Sequence, residues 1–143
     1  MSETEVDSRS FYLGRFYGAV SAWCEAARSG AKKLSLSSPF QPEDFRDLLP
    51  YVKKAVEDNE VQFYLERELM TTDLFLDVNM DGKWVFMIYK LDRILEEYLR
   101  LKSEKEQLEK DGRYSGEIRK DIARRMGALL GYDEDYVNER LRG

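Results

Sequence analysis

The chain has 143 residues, 43% of them hydrophobic, which is enough to bury the core of one domain without a covalent staple. A single cysteine excludes an internal disulfide framework. The absence of histidine removes Ser-His-Asp and Cys-His catalysis, Glu-x-x-His di-iron helices and most zinc sites. The net charge of −5 is uneven, with eleven acids against four bases from Glu43 to Asp81, so the middle of the chain would repel nucleic acid.

The first predicted element is a helix from about Glu5 to Ser29. Phe11, Tyr12, Phe16, Ala19, Trp23 and Ala26 recur in it at three- and four-residue steps, and Gly30 supplies the stop. Cys24 falls on its inward face and reads as a buried structural thiol. Residues 31–40 read as a linker ended by Pro39. A second helix opens at Pro42-Glu43-Asp44, where proline and acids suit a first turn, and Pro50 is expected to interrupt it. A further helix is expected over Glu60 to Met70, with Val61, Tyr64, Leu65 and Leu69 as its stripe.

Asp77-Val78-Asn79-Met80-Asp81-Gly82 sets three oxygen-bearing side chains on alternate residues ahead of a turn glycine. The spacing resembles the first half of an EF-hand loop, which implies Ca²⁺ or Mg²⁺ at Asp77, Asn79 and Asp81. The bidentate glutamate of that family falls here on Ile88, and the carbonyl position on Lys83. The other reading of Asp81-Gly82 is a type I′ turn. A hairpin over residues 73–90 would then pair Val78 with Val85, Leu76 with Met87 and Leu74 with Tyr89. A helix beginning near Gly82 competes with that hairpin.

From Leu91 to Glu109, Leu91, Ile94, Leu95, Tyr98 and Leu101 mark one face of a helix whose last turns are almost wholly charged. Ser115 is placed to cap a helix running to Leu130. Asp133 is placed to cap a short terminal one, so residues 115–141 form a helical hairpin. Asp133-Glu134-Asp135 at its last helix would face phosphates with three negative charges, which argues against helix-turn-helix DNA binding. Arg119, Lys120, Arg124 and Arg125 read as a solvated, partly paired helix face.

The expected fold is therefore mainly α, a single domain of five to six helices over 1–143 with one small β-hairpin. No basic n-region and no long apolar run is present, so a cytoplasmic protein without a membrane span is expected. Nine Tyr, seven Phe and two Trp exceed what a small core needs and favour contact with a protein partner or a second copy over catalysis. The expected interface residues are Trp84, Phe86, Ile88 and Tyr98. The alternative is Mg²⁺-dependent phosphate chemistry at Glu57 and Glu60, with Glu66, Asp73 and Asp77 following. The Glu57-x-x-Glu60 spacing loosely resembles the all-helical nucleotide pyrophosphohydrolases, but their second carboxylate pair has no counterpart here.

Overall fold

The computed structural model describes residues 3–75 and 80–142, with side chains from residue 8 onward except at residue 75. Its elements are α1 (Glu3–Ser29), β1 (Leu34–Leu36), α2 (Phe45–Asn59), β2 (Gln62–Glu66), β3 (Val85–Tyr89), α3 (Asp92–Lys110), α4 (Gly116–Leu129) and α5 (Glu134–Arg140). The strands form one antiparallel sheet in the order β1-β3-β2. The expected fold class, mainly helical with a small antiparallel element, is the one observed. The pairing within that element is not.

β3 is the centre of the molecule, and all five of its residues are buried. Successive side chains of a strand point to opposite faces, so it feeds two cores. Phe86 and Ile88 pack with Phe16, Val20, Cys24 and Ala27 of α1 and with Leu48, Val52 and Ala55 of α2. Val85, Met87 and Tyr89 pack with Ile94, Tyr98 and Leu101 of α3 and with Ile122, Met126 and Leu129 of α4. The sheet is thus a thin middle layer between two helical layers. Leu74, Ala123, Val137 and Leu141 make a small third core where α5 folds back on α4.

The expected hairpin is overturned by this pairing. Tyr89 lies opposite Leu34 on one side and Gln62 on the other, and Met87 opposite Leu36 and Tyr64. Both edges of β3 are filled, and Leu74 sits in a 3₁₀ turn. Leu76 and Val78 lie outside the described residues. A tight turn is present, but not of type I′, since Gly82 has φ +70° while Asp81 is not left-handed; Lys83 N–H donates to the Met80 carbonyl at 3.0 Å.

Two other expectations fail for a related reason. The linker over 31–40 contains β1, because Leu-Ser-Leu-Ser alternates with period two and lies against β3; Ser37 Oγ accepts from Phe86 N–H at 2.9 Å. The helix expected over Glu60 to Met70 is β2. Glu60 adopts the left-handed conformation at φ 56° and ends α2. Val61, Phe63 and Leu65 then turn toward the α1–α2 core and Tyr64 toward the other.

Pro50 does not interrupt α2. Its missing N–H orphans the carbonyl of Arg46, but both residues are exposed, so water can serve that oxygen. Burial of Leu48, Val52 and Ala55 holds the helix through the defect. Ser115 stands at the N-cap of α4 without a side-chain capping bond, whereas Asp133 does cap α5, accepting from Tyr136 N–H at 3.2 Å. Gly131 (φ +77°) presses the α4–α5 turn against the chain leaving α1, and a Cβ there would lie 2.8 Å from the Ala31 carbonyl oxygen.

Candidate interaction groove

Of the residues singled out for metal or carboxylate chemistry, those among the described residues do not converge. Asp77 and Asn79 lie outside the described residues. Asp81 is exposed in its turn, and Ile88, at the position of the EF-hand closing ligand, is fully buried in β3. Glu57 is exposed on α2, while Glu60 has left the helix as its left-handed cap, so the two do not share a helical face. Glu66 and Asp73 are committed elsewhere. Among the described residues no three carboxylates or thiols are grouped to hold a metal ion.

Glu66, only 4% exposed, accepts from Tyr98 Oη at 2.7 Å and from Lys102 Nζ at 3.1 Å, and its other oxygen accepts from Glu68 N–H. Lys102 and Lys105 also donate to the carbonyls of Glu68 and Thr71. These bonds strap the segment after β2 across α3. Asp73 takes a two-pronged contact from Arg119, with Nε to Oδ2 at 2.8 Å and Nη2 to Oδ1 at 2.6 Å. That contact holds the Asp73 carboxyl below its usual range, chiefly through the Arg119 hydrogen bonds. Arg125 pairs with Glu104 and Asp121, and Arg124 and Lys120 lie beside Glu117, so the basic patch on α4 is internally answered.

The expected interface is corrected by burial. Phe86, Ile88 and Tyr98 are fully enclosed by the chain's own helices, and Trp84 is half-buried, edge-on to Phe45 with the Arg67 guanidinium over its ring. Helices cover both faces of β3, so no second copy is needed there. Cys24 is likewise buried, and desolvation pushes its thiol up to about 11.

The exposed aromatic surface lies instead on α1. Buried Phe16, Val20, Cys24 and Ala27 form one stripe of this helix. Tyr12, Arg15, Ala19 and Trp23, at spacings of three and four, line a neighbouring strip. Together with Phe11, Phe16 and the Ser38-Pro39 segment that follows β1, they enclose an open groove of about 450 Å³. Phe11 is 66% exposed at its lip, and the Arg15 guanidinium lies over the Phe11 ring at 5.7 Å. Phe16 braces Trp23 edge-on at 5.6 Å.

One end of the groove is closed electrostatically. Arg9 sits over the Tyr12 ring at 5.3 Å and binds both Asp44 and Asp47, which ties α1 to the start of α2. Partial burial and then the Asp44 carboxylate raise the Tyr12 hydroxyl above its ordinary range, with Arg9 opposing. Arg15 differs from Arg9. Among the described residues it has no carboxylate partner, and neither Tyr12 Oη nor the Trp23 indole N–H has a hydrogen-bond partner. The groove therefore offers apolar walls and polar donors that have no acceptor among the described residues.

Sequence reasoning placed Phe11, Tyr12 and Trp23 on the apolar face of the first helix and missed the groove. The available signal was width: the apolar positions of this helix cover more of its circumference than one buried stripe needs. Comparison of the chain with protein-family models, with curated proteins and with solved structures gives no match in any of the three. Among the described residues no helix is long and apolar enough to cross a membrane.

Proposed function

We propose that the protein acts by contact with another protein, through the groove on α1, rather than by catalysis. The observation that carries this reading is Phe11, a large apolar side chain two-thirds exposed beside Tyr12 and Trp23 on α1. Aromatic side chains with a guanidinium neighbour are the groups that anchor protein interfaces, because they bury much area at small entropic cost. Contact with a second copy and contact with a different chain are both forms of this reading, which takes the cytoplasm as the place of action.

A photo-crosslinking residue placed at Phe11 in the source cell, and at exposed Tyr136 as a control, tests it. Adducts of discrete mass from position 11 that position 136 does not give are expected. Adducts absent from position 11, or the same from both positions, would sink the proposal.

A further inference from the structure

The groove has a defined chemistry of its own, and the following inference rests on the interaction reading above. From Tyr12 to Trp23 the helix rises about 16 Å, the span of an extended segment of about five residues. The trough is open on one side, as the exposure of Phe11 shows, so a small ligand would keep much of its surface in water rather than be enclosed. A chain segment can cover the trough from end to end. Its polar complement follows from what the groove lacks: Arg15, Tyr12 Oη, the Trp23 N–H and Ser38 Oγ can all donate, Arg15 alone with a full charge, and none has an acceptor within the described residues.

We infer that the groove binds a peptide segment of a partner protein that sets a carboxylate on Arg15, between apolar side chains lying against Phe11 and Trp23. A second copy fits this chemistry less well. None of the residues that line the groove is acidic, so two-fold pairing of the groove on itself sets like charges together and brings no lining carboxylate to Arg15. Arg9 cannot take the role of Arg15, because Asp44 and Asp47 already answer it. The chain's negative net charge also disfavours a densely acidic ligand, so one carboxylate among apolar residues is the expected pattern.

The test uses the full chain against two arrays of acetylated, amidated nonapeptides. One has Glu fixed at the centre and Leu, Ile, Phe, Tyr or Ser elsewhere; the other has Gln at the centre. Binding to the best sequences is then titrated by tryptophan fluorescence, with Trp23→Phe identifying the reporter. The Glu peptides should bind about tenfold more tightly than their Gln twins, the effect of one charge-assisted hydrogen bond. Arg15→Gln should erase that preference, Phe11→Ser should abolish binding, and Tyr136→Ser should leave both intact. All three sites are exposed, and circular dichroism checks that each variant folds. Equal binding of the Glu and Gln peptides, or a preference that survives Arg15→Gln, would overturn the inference. A doubled solution mass that Phe11→Ser halves would also overturn it, by assigning the groove to a second copy, while leaving the interaction reading standing. A monomer that binds neither array, with no adduct from position 11, would overturn both.

Discussion

The Tyr98 hydroxyl donates to the buried Glu66 carboxylate at 2.7 Å and at the same time accepts the Met70 amide at 3.0 Å, joining α3 to the end of β2 and to the segment beyond it. One phenol thus satisfies two buried polar groups 4 residues apart in sequence. Removing it leaves a donor and an acceptor short of partners in the core, so Tyr98→Phe should cost about 1–3 kcal/mol in urea unfolding at neutral pH. Burial, with Glu66 adding to it, raises the Tyr98 ionisation well above its ordinary value. A raised native value means that the contribution is complete below the unfolded value of about 10 and is lost as pH rises beyond it. Native protein should therefore lose stability above about pH 10 more steeply than Tyr98→Phe does.

Asp73 and Arg119 give the opposite pH dependence. The native carboxyl is depressed, so its contribution is present above about pH 4 and is lost as pH falls through the native value. The pair is partly exposed, at 26% and 45%, and solvent screening limits it to about 0.5 kcal/mol. Asp73→Asn should unfold slightly more easily than native protein at pH 7, and the two curves should converge as pH falls below the ordinary carboxylate range. A difference unchanged across that range would show that the ion pair is not its source.

Pro50→Ala should stabilise the protein. It restores an N–H to an exposed position of α2 where the fold already holds helical geometry, and the gain exceeds the lost rigidity of proline in the unfolded chain. The expected net is about 1 kcal/mol, or about 2–4 °C in Tm by differential scanning calorimetry. A lower Tm would mean that α2 uses the proline for its shape.

Calorimetric titration of chelator-stripped protein with Ca²⁺ and then Mg²⁺ should give no saturable heat. The closing position of the loop is Ile88, locked in β3 opposite Ser35 and Phe63, and cannot be exchanged for an oxygen ligand by loop motion. Saturable heat abolished by Asp77→Ala would contradict this.

Cys24 should react with iodoacetamide at about pH 8 only as fast as the fold opens, since burial both shields the thiol and raises its ionisation to about 11. Alkylation of the native protein at the rate seen in urea would show that α1 detaches from the sheet.

The sequence by itself determined α1, α3, α4 and α5, because a 3.6-residue apolar period together with Gly30, Asp133 and charged outer faces is local information. It also determined that the chain turns at Asp81-Gly82, though not the type of turn. It gave β1 to a linker and β2 to a helix, and both readings failed. Apolar residues four apart, such as Val61 and Leu65, satisfy both a helical face and a period of two, and only the left-handed turn at Glu60 and an open edge on β3 select the strand. Alternation in Val85 to Tyr89 told which side chains share a face but not which strand would lie beside them, so Leu34 and Gln62 took the places given to Leu74. Pro50 was penalised correctly as a local matter, and burial of the helix around it outweighed the penalty. The groove exists only because the fold sets Ser38 and Pro39 beside Tyr12 and Trp23. Local periodicity fixes what a segment can become, and the choice among neighbours depends on contacts between residues far apart in the chain, whose energies no short window contains.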